Sequence, residues 1–493
     1  MNIVYVASEA VPFAKTGGLA DVAGALPRAL ESLGHSVSVF LPCHRRVWQA
    51  KPELVGSGVD IEVHVGSRRL DAHVHETGLP GSDVSVYLVD RPAYFDRAEL
   101  YQEGGKDYAD NCERFAFFNR AVLEAISLLG LRPDIIHCND WQTGLIPAYL
   151  KTLYRGVTTL AKAGTLMTIH NLAYPGLFGP ADMAILGLDG SLFNPKGLEF
   201  HGRLSFMKAG LVFADMLSTV SPTYAHEIQT PELGCGLDGL LRERRADLRG
   251  IVNGIDTQEW SLAHEPMLAC RYDVSTFREG KARCKAWLQG RAGFPLRPET
   301  PLFAQIGRLD HQKGWYLLSK IADRLLAEDV QLVVLGTGHP SYHQMLSELA
   351  HRHRERLFVH LGFSDELAHQ IEAGADVFLM PSLFEPCGLN QLYSLAHGTV
   401  PLVRATGGLA DTVVNLDPWT LGEGIANGFV FREPTAGALW RAVEVALVTW
   451  PQRSIWEQLI RNGMESDWSW NRSASDYAAL YADIIRRVQS RAA

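Results

Sequence analysis

The sequence predicts an α/β protein made of two tandem domains, each built on a parallel β-sheet. Three observations lead to this prediction. The chain has 493 residues, more than a single hydrophobic core usually supports. Short apolar segments alternate with helical segments, as expected of parallel strands that are covered on both faces. The hexapeptide Thr-Gly-Gly-Leu-Ala-Asp occurs at 16–21 and again at 406–411, each time between a predicted strand and a predicted helix, which favours two similar halves.

Composition narrows the class of protein. The formal net charge of -9 argues against non-specific nucleic-acid binding, so any phosphate site must come from a few local cations and from backbone N–H groups. The 7 cysteines are scattered and include no Cys-x-x-Cys pair, which argues against a disulfide framework or a zinc site. No basic, apolar leader precedes the first strand, and no apolar run is long enough to cross a bilayer. We therefore expect a soluble, cytoplasmic protein.

The first domain is expected to cover residues 1–255. Ile3–Ala7 is a predicted strand, followed by a glycine-rich loop that contains Lys15 and then by a helix. The loop lacks the G-x-G-x-x-G spacing, which argues against a dinucleotide-dependent oxidoreductase. Further strands are predicted at Val37–Leu41, Val84–Val89, Asp134–His137, Leu166–Ile169, Leu217–Val220 and Ile251–Asp256. Asp140 and His170 follow two of these strands and should lie at one rim of the sheet.

The second domain is expected at 256–466, and residues 467–493 are predicted to form a helix that packs back on the first domain. Its predicted strands are Leu302–Ile306, Gln331–Leu335, Leu357–Leu361, Val377–Met380 and Val400–Val403, and its predicted helices include Trp315–Leu326, Ser341–Arg352 and Glu366–Ala373. The fourth strand leads into a loop that contains Glu385 and then into a helix from Gly388. A helix start after a parallel strand favours anions, whereas a carboxylate such as Glu385 suits hydroxyl groups. A sugar nucleotide has both features.

Two cations follow the first strand of the second domain. Arg308 offers a planar fork for phosphate oxygens, and Lys313 places a compact charge at the start of the next helix. Such a pair suits a diphosphate that must leave with negative charge. Surface ion pairs are the alternative, but the position at a strand end, in a protein short of positive charge, favours the diphosphate site.

Six separated motifs stand out along the chain: Lys15–Asp21, His137–Trp141, Thr168–Asn171, Val252–Asp256, Gly307–Gly314 and Phe384–Leu389. In these motifs and in their order, the sequence closely resembles the bacterial glycogen synthases and plant starch synthases. The resemblance implies the GT-B fold, in which two Rossmann-like domains with parallel sheets face a deep interdomain cleft. It also implies transfer of glucose from ADP-glucose to the non-reducing end of an α-1,4-glucan, with retention of configuration and release of ADP.

The same resemblance implies roles for individual residues. The expected catalytic residues are Glu385, His170, Arg308 and Lys313. Glu385 is expected to hold the transferred glucose, with His170 near the donor sugar. Arg308 and Lys313 are expected to bind the diphosphate and support its departure. The residues implied in substrate binding are Lys15, Gly17, Gly18, Asp21, Asp140, Asn253, Cys387, Gly388 and Leu389.

Retaining hydrolases use two carboxylates about 5 Å apart, but the sequence indicates no second carboxylate beside Glu385. Tyr393 stands where more distant retaining enzymes of this fold have a second glutamate. We therefore expect front-side displacement, in which the departing phosphate takes the proton of the acceptor hydroxyl. No Asp-x-Asp occurs, so a metal-bridged diphosphate is not expected, and Arg308 and Lys313 would replace the metal. We also expect no other cofactor.

Several alternatives stay open. A glucan phosphorylase-like enzyme, a UDP-glucose-dependent glucosyltransferase and an inactive glucan-binding regulator have related architectures. Asp140 could cap the following helix, His170 could cap the following turn, and Cys387 could be a nucleophile rather than a small pocket residue. Asp411 could be a first-turn aspartate favoured by the helix dipole. The aromatic residues that could form a sugar-stacking platform are Tyr94, Phe95, Tyr101 and Tyr174.

Overall fold

The computed structural model describes residues 1–56, 58–257, 259–262 and 266–492. The chain divides into two compact units. Unit 1 comprises Met1–Val220, Ala225–Asn253 and the residues from Trp470 onward, and unit 2 comprises Ser221–Tyr224 and Gly254–Ser469. Within the described ranges, no helix is both long enough and apolar enough to cross a membrane.

Unit 1 is built on a mixed sheet with the strand order β14-β13-β9-β8-β1-β2-β5-β4-β3. The strands of this unit are β1 (Asn2–Val6), β2 (Ser36–Pro42), β3 (Val59–Val65), β4 (Arg68–Gly78), β5 (Ser85–Asp90), β6 (Gln102–Glu103), β7 (Lys106–Asp107), β8 (Ile135–Asn139), β9 (Gly164–Ile169), β10 (Leu177–Phe178), β11 (Glu199–Phe200), β12 (Arg203–Ser205), β13 (Met216–Thr219) and β14 (Leu248–Gly250). From β14 to β5 the neighbouring strands are parallel, and β4 and β3 form an antiparallel edge. The central strands β8 and β9 are buried along their whole length, as expected of parallel strands with both faces covered.

Unit 2 is built on a parallel sheet with the order β17-β16-β15-β18-β19-β20. Its strands are β15 (Leu302–Ile306), β16 (Gln331–Gly336), β17 (Leu357–Leu361), β18 (Val377–Met380), β19 (Val400–Arg404) and β20 (Phe429–Phe431). The first strand, β15, lies inside the sheet between β16 and β18. The loops after β15, β18 and β19 therefore emerge side by side.

Helices cover the sheets of both units. They are α1 (Gly18–Ser32), α2 (Arg45–Gln49), α3 (Pro92–Phe95), α4 (Asn111–Leu128), α5 (Ile146–Lys151), α6 (Met183–Leu186), α7 (Phe206–Phe213), α8 (Pro222–Glu227), α9 (Asp238–Glu243), α10 (Phe277–Arg291), α11 (Trp315–Ala327), α12 (Pro340–Arg352), α13 (Asp365–Gly374), α14 (Asn390–Ala396), α15 (Gly407–Thr412), α16 (Pro418–Gly422), α17 (Ala436–Thr449), α18 (Arg453–Glu465) and α19 (Trp470–Ala492). In unit 1, α19 shares a buried cluster with α1 that includes Leu26, Tyr477 and Ile484. The Tyr481 hydroxyl also lies 2.8 Å from His137 Nδ1, so the last helix is held by both packing and a buried hydrogen bond.

The predicted strands are confirmed to within two residues at each end, except for the one at Ile251–Asp256. That prediction is wrong, because the last strand of unit 1 is β14. The apolar residues after β14 are held by hydrogen bonds that do not belong to a β-sheet. The Val252 carbonyl accepts the Ser473 hydroxyl at 2.6 Å, and the Ile255 N–H donates to Trp468 O at 2.8 Å. Sequence reasoning also missed the β3–β4 hairpin, whose alternating burial is typical of a sheet edge.

The helix predicted from Gly388 begins at Asn390 instead. Gly388 has φ +74°, a left-handed conformation that an α-helix does not accommodate but that glycine adopts readily. The chain therefore makes one more tight turn before α14 starts.

The two copies of the hexapeptide occupy non-equivalent places. The first follows β1, the first strand of unit 1, whereas the second follows β19, the fifth strand of unit 2. The loop after β15, the counterpart of the loop after β1, carries Arg308 and Lys313 instead. Each half is an α/β unit as predicted, but the repeat does not mark corresponding positions in them.

The repeat also yields a stability prediction. Gly407 has φ +44°, and a Cβ there would lie 1.9 Å from the Glu385 carbonyl oxygen, whereas Gly17 has φ -155° and the nearest atom to a Cβ there is 3.9 Å away. We expect Gly407→Ala to reduce the free energy of unfolding by about 2–4 kcal/mol, because strain and overpacking add. Gly17→Ala should stay within roughly 1 kcal/mol of the parent. Denaturant melts of both variants would test this, and equal losses would contradict it.

Candidate functional site

In unit 1, the predicted site residues other than Asn253 follow three adjacent strands. The sheet order places β9, β8 and β1 side by side. Because these strands are parallel, their carboxyl ends meet at one edge, where ligands bind in open α/β sheets. Lys15 follows β1, Asp140 follows β8 and His170 follows β9.

The loop after β1 presents a cation beside a carboxylate. Lys15 Nζ lies 2.7 Å from Asp21 Oδ1 in the first turn of α1, and their side chains are 47% and 20% exposed. Gly17 is the extended residue that precedes α1. Arg46 Nη1 donates to the Lys15 carbonyl at 3.0 Å and helps to fix the loop.

Asp140 joins the ends of β8 and β9. Its Oδ1 accepts the backbone N–H of His170 at 2.7 Å and, more weakly, that of Asn171 at 3.5 Å. It makes no capping hydrogen bond to the helical turn that follows, so the capping alternative is wrong. Burial raises the pKa of the Asp140 carboxyl to about 7, although both backbone hydrogen bonds act to lower it.

His170 is neutral at physiological pH. Burial lowers its pKa to about 3. Its Nε2 lies 2.9 Å from Asn139 Oδ1, and Asn139 Nδ2 donates to Val6 O at 3.0 Å. That second bond orients the amide so that Oδ1 is the acceptor, which gives Nε2 of His170 the hydrogen. Nδ1 is then a hydrogen-bond acceptor, suited to a ligand hydroxyl.

Asn253, the last residue of unit 1 before unit 2 begins, is 7% exposed. Its Oδ1 has no hydrogen-bond partner among the described residues. A buried polar atom without a partner is unusual and suits a donor from a bound molecule. The same holds for Gln142 Oε1, next to Trp141.

In unit 2, Glu385 and Lys313 form an ion pair. Glu385 is 5% exposed, and its Oε2 lies 2.6 Å from Lys313 Nζ and 3.0 Å from Ser382 Oγ. The loops after β15 and β18 are thereby joined through side chains. Their backbones are also joined, because the Leu383 N–H donates to Gln312 O at 2.8 Å.

Arg308 lies at the start of the same loop with its side chain 52% exposed. Its Nη2 is 3.4 Å from both Asp310 Oδ2 and Gln312 Oε1, so these contacts are long. Its carbonyl accepts Nε1 of the fully buried Trp315 at 2.7 Å. The backbone of Arg308 is therefore anchored, and about half of its side chain is exposed.

The loop after β19 packs directly on the loop that contains Glu385. The Gly408 N–H donates to Glu385 O at 3.2 Å and to Pro386 O at 3.1 Å. Arg404 Nε donates to Ser382 O at 2.8 Å. Together these contacts fix the backbone carbonyls around Glu385, while its carboxylate bonds to Lys313 and Ser382.

The remaining predicted residues of unit 2 follow Glu385 directly. Cys387 is 5% exposed, and Gly388 makes the left-handed turn before α14. The Leu389 side chain packs against Ile255 and Leu392 in a small apolar cluster. Leu389 therefore has a packing role whatever its backbone binds.

Two predictions from single residues are wrong. Tyr94 and Phe95 are 6% and 0% exposed, so they belong to the core and form no platform, whereas Tyr174 is 51% exposed. Asp411 lies beyond the first turn of α15, and its carboxylate accepts the backbone N–H of Thr223 at 2.9 Å and its hydroxyl at 2.6 Å. It thus ties residues of unit 2 together rather than serving the helix dipole.

Sequence reasoning missed two residues that shape the sites of the two units. Glu9 lies under the Lys15 loop, and Arg404 holds the loop of Glu385. Each stands at or just after the carboxyl end of a strand. That position, combined with a polar side chain, is the signal that could have found them.

Comparison with known proteins identifies the family. The profile described as "Starch synthase catalytic domain" matches residues 2–243, and "Glycosyl transferases group 1" matches residues 290–463. A glycogen synthase of an Anaeromyxobacter species is 48% identical over 98% of this chain and 99% of its own length. Glycogen synthases of Cellvibrio japonicus (98% of this chain, 99% of its own) and Rhodopirellula baltica (98% and 98%) are 47% and 43% identical.

The solved structures agree. The catalytic domain of starch synthase IV from Arabidopsis thaliana, bound to ADP and acarbose, matches with a TM-score of 0.90 and 31% identity over 98% of this chain and 99% of that one. Sucrose-phosphate synthase from Thermosynechococcus elongatus shares the fold, with a TM-score of 0.58 and 18% identity over 99% of each chain. The predicted GT-B fold is confirmed. Similarity along almost the whole length, in both units, shows that this chain belongs to the glycogen synthase family of glycosyltransferases.

Proposed function

We propose that the protein transfers glucose from ADP-glucose to the non-reducing end of an α-1,4-glucan such as glycogen, with retention of configuration and release of ADP. The observation that carries the proposal is the grouping of Glu385, Lys313 and Arg308 on neighbouring loops of unit 2. That grouping occurs in a chain that is similar throughout its length to glycogen synthases. ADP bound to the similar starch synthase supports the choice of donor.

In unit 2, residues of opposite charge suit the two parts of the donor, the diphosphate and the glucose. Arg308 and Lys313 suit the diphosphate, because a guanidinium and an ammonium stabilise the charge that grows on it as it leaves. Glu385 suits the glucose, because its carboxylate accepts hydrogen bonds from hydroxyls. The Lys313–Glu385 pair places a cation and an acceptor next to each other, as the junction between phosphate and sugar requires. Cys387, Gly388 and the backbone of Leu389 would line this junction.

In unit 1, the edge formed by β1, β8 and β9 carries side chains that suit a sugar nucleotide or a glucan. Lys15, with Gly17 and Gly18 beside it, is suited to the donor because it adds positive charge at the start of α1. The acceptor nitrogen Nδ1 of His170 suits a sugar hydroxyl. Asp21, Asp140 and Asn253 present oxygen atoms to hydroxyl groups of donor or glucan.

The arrangement supports direct displacement without a covalent intermediate. Glu385 is held by an ammonium and a serine hydroxyl, which lowers its value as a nucleophile. In the proposed step, the bond from the sugar's anomeric carbon to the diphosphate oxygen breaks as a bond to the 4-hydroxyl oxygen of the glucan forms on the same face. The hydroxyl proton passes to the departing phosphate oxygen. Arg308 and Lys313 stabilise that oxygen, so we propose that no metal or other cofactor is needed.

A donor comparison tests the proposal. The purified protein would be incubated with glycogen and radiolabelled ADP-glucose or UDP-glucose, with and without EDTA, and label in the polymer would be counted. We expect kcat/KM with ADP-glucose to exceed that with UDP-glucose by about tenfold or more, with turnover persisting in EDTA. Release of label by β-amylase, which cleaves α-1,4 links, would show retention. Preference for UDP-glucose, or phosphate-dependent release of glucose 1-phosphate with pyridoxal absorbance, would overturn it.

A further inference from the structure

Glu9 is a buried carboxylate beside the unit 1 site to which the proposed reaction assigns no role. It lies just after β1 and is 4% exposed. Its Oε2 accepts the Thr16 hydroxyl at 2.8 Å and also the Thr16 backbone N–H. Thr16 itself is exposed and stands between Lys15 and Gly17. Both polar groups of one loop residue therefore converge on a single buried oxygen.

The surroundings of Glu9 oppose its charge. Burial raises the pKa of the Glu9 carboxyl to about 7, the Asp21 and Asp140 carboxylates act in the same direction, and the two Thr16 hydrogen bonds act against it. The Tyr101 hydroxyl, which bonds to Ser8 Oγ at 2.7 Å, is a further titratable group that interacts with the Glu9 carboxylate. Burying a carboxylate without a cation costs free energy. If the residue at this position only filled space, an uncharged side chain would therefore be more favourable.

We propose that Glu9 is a positioning residue, which in its ionised form holds Thr16 and so sets the loop that places Lys15 against Asp21 and starts α1. An ionised carboxylate accepts both Thr16 hydrogen bonds as charge-assisted bonds. A protonated carboxyl is neutral and must itself donate a hydrogen bond, so its hydrogen bonds to Thr16 are weaker. The inference rests on the proposed function, in which Lys15 and Asp21 contact the substrate.

The direction in which activity and stability change with pH distinguishes a positioning role of Glu9 from simple packing. The folded protein binds the Glu9 proton more tightly than the unfolded chain, because the pKa rises from 4.5 to about 7 on folding. The contribution of Glu9 to stability therefore decreases as pH rises from about 4.5 to 7. The proposed positioning improves over the same range. Activity and this part of the stability should thus change in opposite directions.

Four forms of the full chain test the proposal: the parent, Glu9→Gln, Thr16→Val and the matched control Thr16→Ser, which keeps the hydroxyl. At pH 8 we expect Glu9→Gln to lower kcat/KM for ADP-glucose about tenfold, with the KM for glycogen unchanged. Thr16→Val should lose about threefold, and Thr16→Ser should match the parent. In the parent, the acid limb of the pH profile should reflect two protons, from Glu9 and Asp140. In Glu9→Gln it should reflect one proton, from Asp140.

Backbone amide exchange of the peptide that covers Thr16 gives a readout independent of activity. We expect exchange there to be at least about tenfold faster in Glu9→Gln than in the parent at pH 8, while β8 and β9 keep their protection. Unchanged exchange, or a pH profile that superimposes on that of the parent after scaling, would overturn the proposal. If Glu9→Gln does not fold, Thr16→Val decides by the same measurements. A parent that fails to label glycogen from either donor refutes the proposed function, and the exchange data still judge Glu9.

Discussion

Replacing Glu385 with glutamine is expected to lower kcat by about 10²–10³-fold while the affinity for ADP stays the same or rises. Glu385 is proposed to hold the glucose, which ADP lacks. The substitution also releases Lys313 from a 2.6 Å ion pair and removes a negative charge near the diphosphate. Both changes favour binding of the negatively charged diphosphate of ADP. Steady-state kinetics and titration calorimetry with ADP would measure the two effects.

Glu366→Gln provides a matched control on the same unit. Glu366 is an exposed carboxylate on α13 that pairs with Arg291 at 2.9 Å, outside the loops of the site. We expect its kcat and ADP affinity to equal those of the parent. Parallel losses of turnover and ADP affinity in Glu385→Gln would instead assign Glu385 to the nucleotide.

Replacing Lys313 with alanine is expected to lower kcat about 10²–10³-fold and to raise the KM for ADP-glucose. The loss should exceed that of a binding contact alone, because the cation stabilises charge that develops as the diphosphate leaves. Lys320→Ala, on the exposed face of α11, is the control and should change neither constant. Parent-like kinetics in Lys313→Ala would remove Lys313 from the site.

Stability measurements distinguish the structural contribution of the Lys313–Glu385 pair from its contribution to catalysis. Lys313→Ala leaves the nearly buried Glu385 without its counter-charge, which should lower the free energy of unfolding by about 1–3 kcal/mol. Adding Glu385→Gln removes the uncompensated charge, so the double variant should recover part of that stability. It should recover no activity. A double variant as unstable as the sum of the single variants would show that the two side chains are not coupled.

The strands were the most predictable part of the fold. β15 and β18 have the bounds that were predicted, because a parallel strand covered on both faces is a short apolar run between loop residues. Ile251–Asp256 has the same appearance, yet its backbone bonds to residues such as Ser473 near the other end of the chain. Local pattern cannot distinguish these two cases.

The site was predictable as a set of loops but less so as a set of contacts. Glu385, Lys313 and Arg308 were found because strand ends of parallel sheets collect ligand-binding residues. The ion pair between Glu385 and Lys313 joins residues 72 positions apart, and no spacing rule indicates it. Glu9 was missed because its partner is a neutral threonine, and its importance depends on burial that sequence does not display.

The sequence by itself determined the α/β class, most strands of the two main sheets, and the family, because hydrophobic period and loop chemistry are local properties of the chain. The tertiary structure alone decided which loops meet. Strand order places β15, β18 and β19 side by side. As a result, the hexapeptide at 16–21 lies next to Lys15, whereas the hexapeptide at 406–411 bonds to the backbone of Glu385. Identical residues acquire different tasks because burial, backbone angle and partners come from neighbours that are distant in the chain.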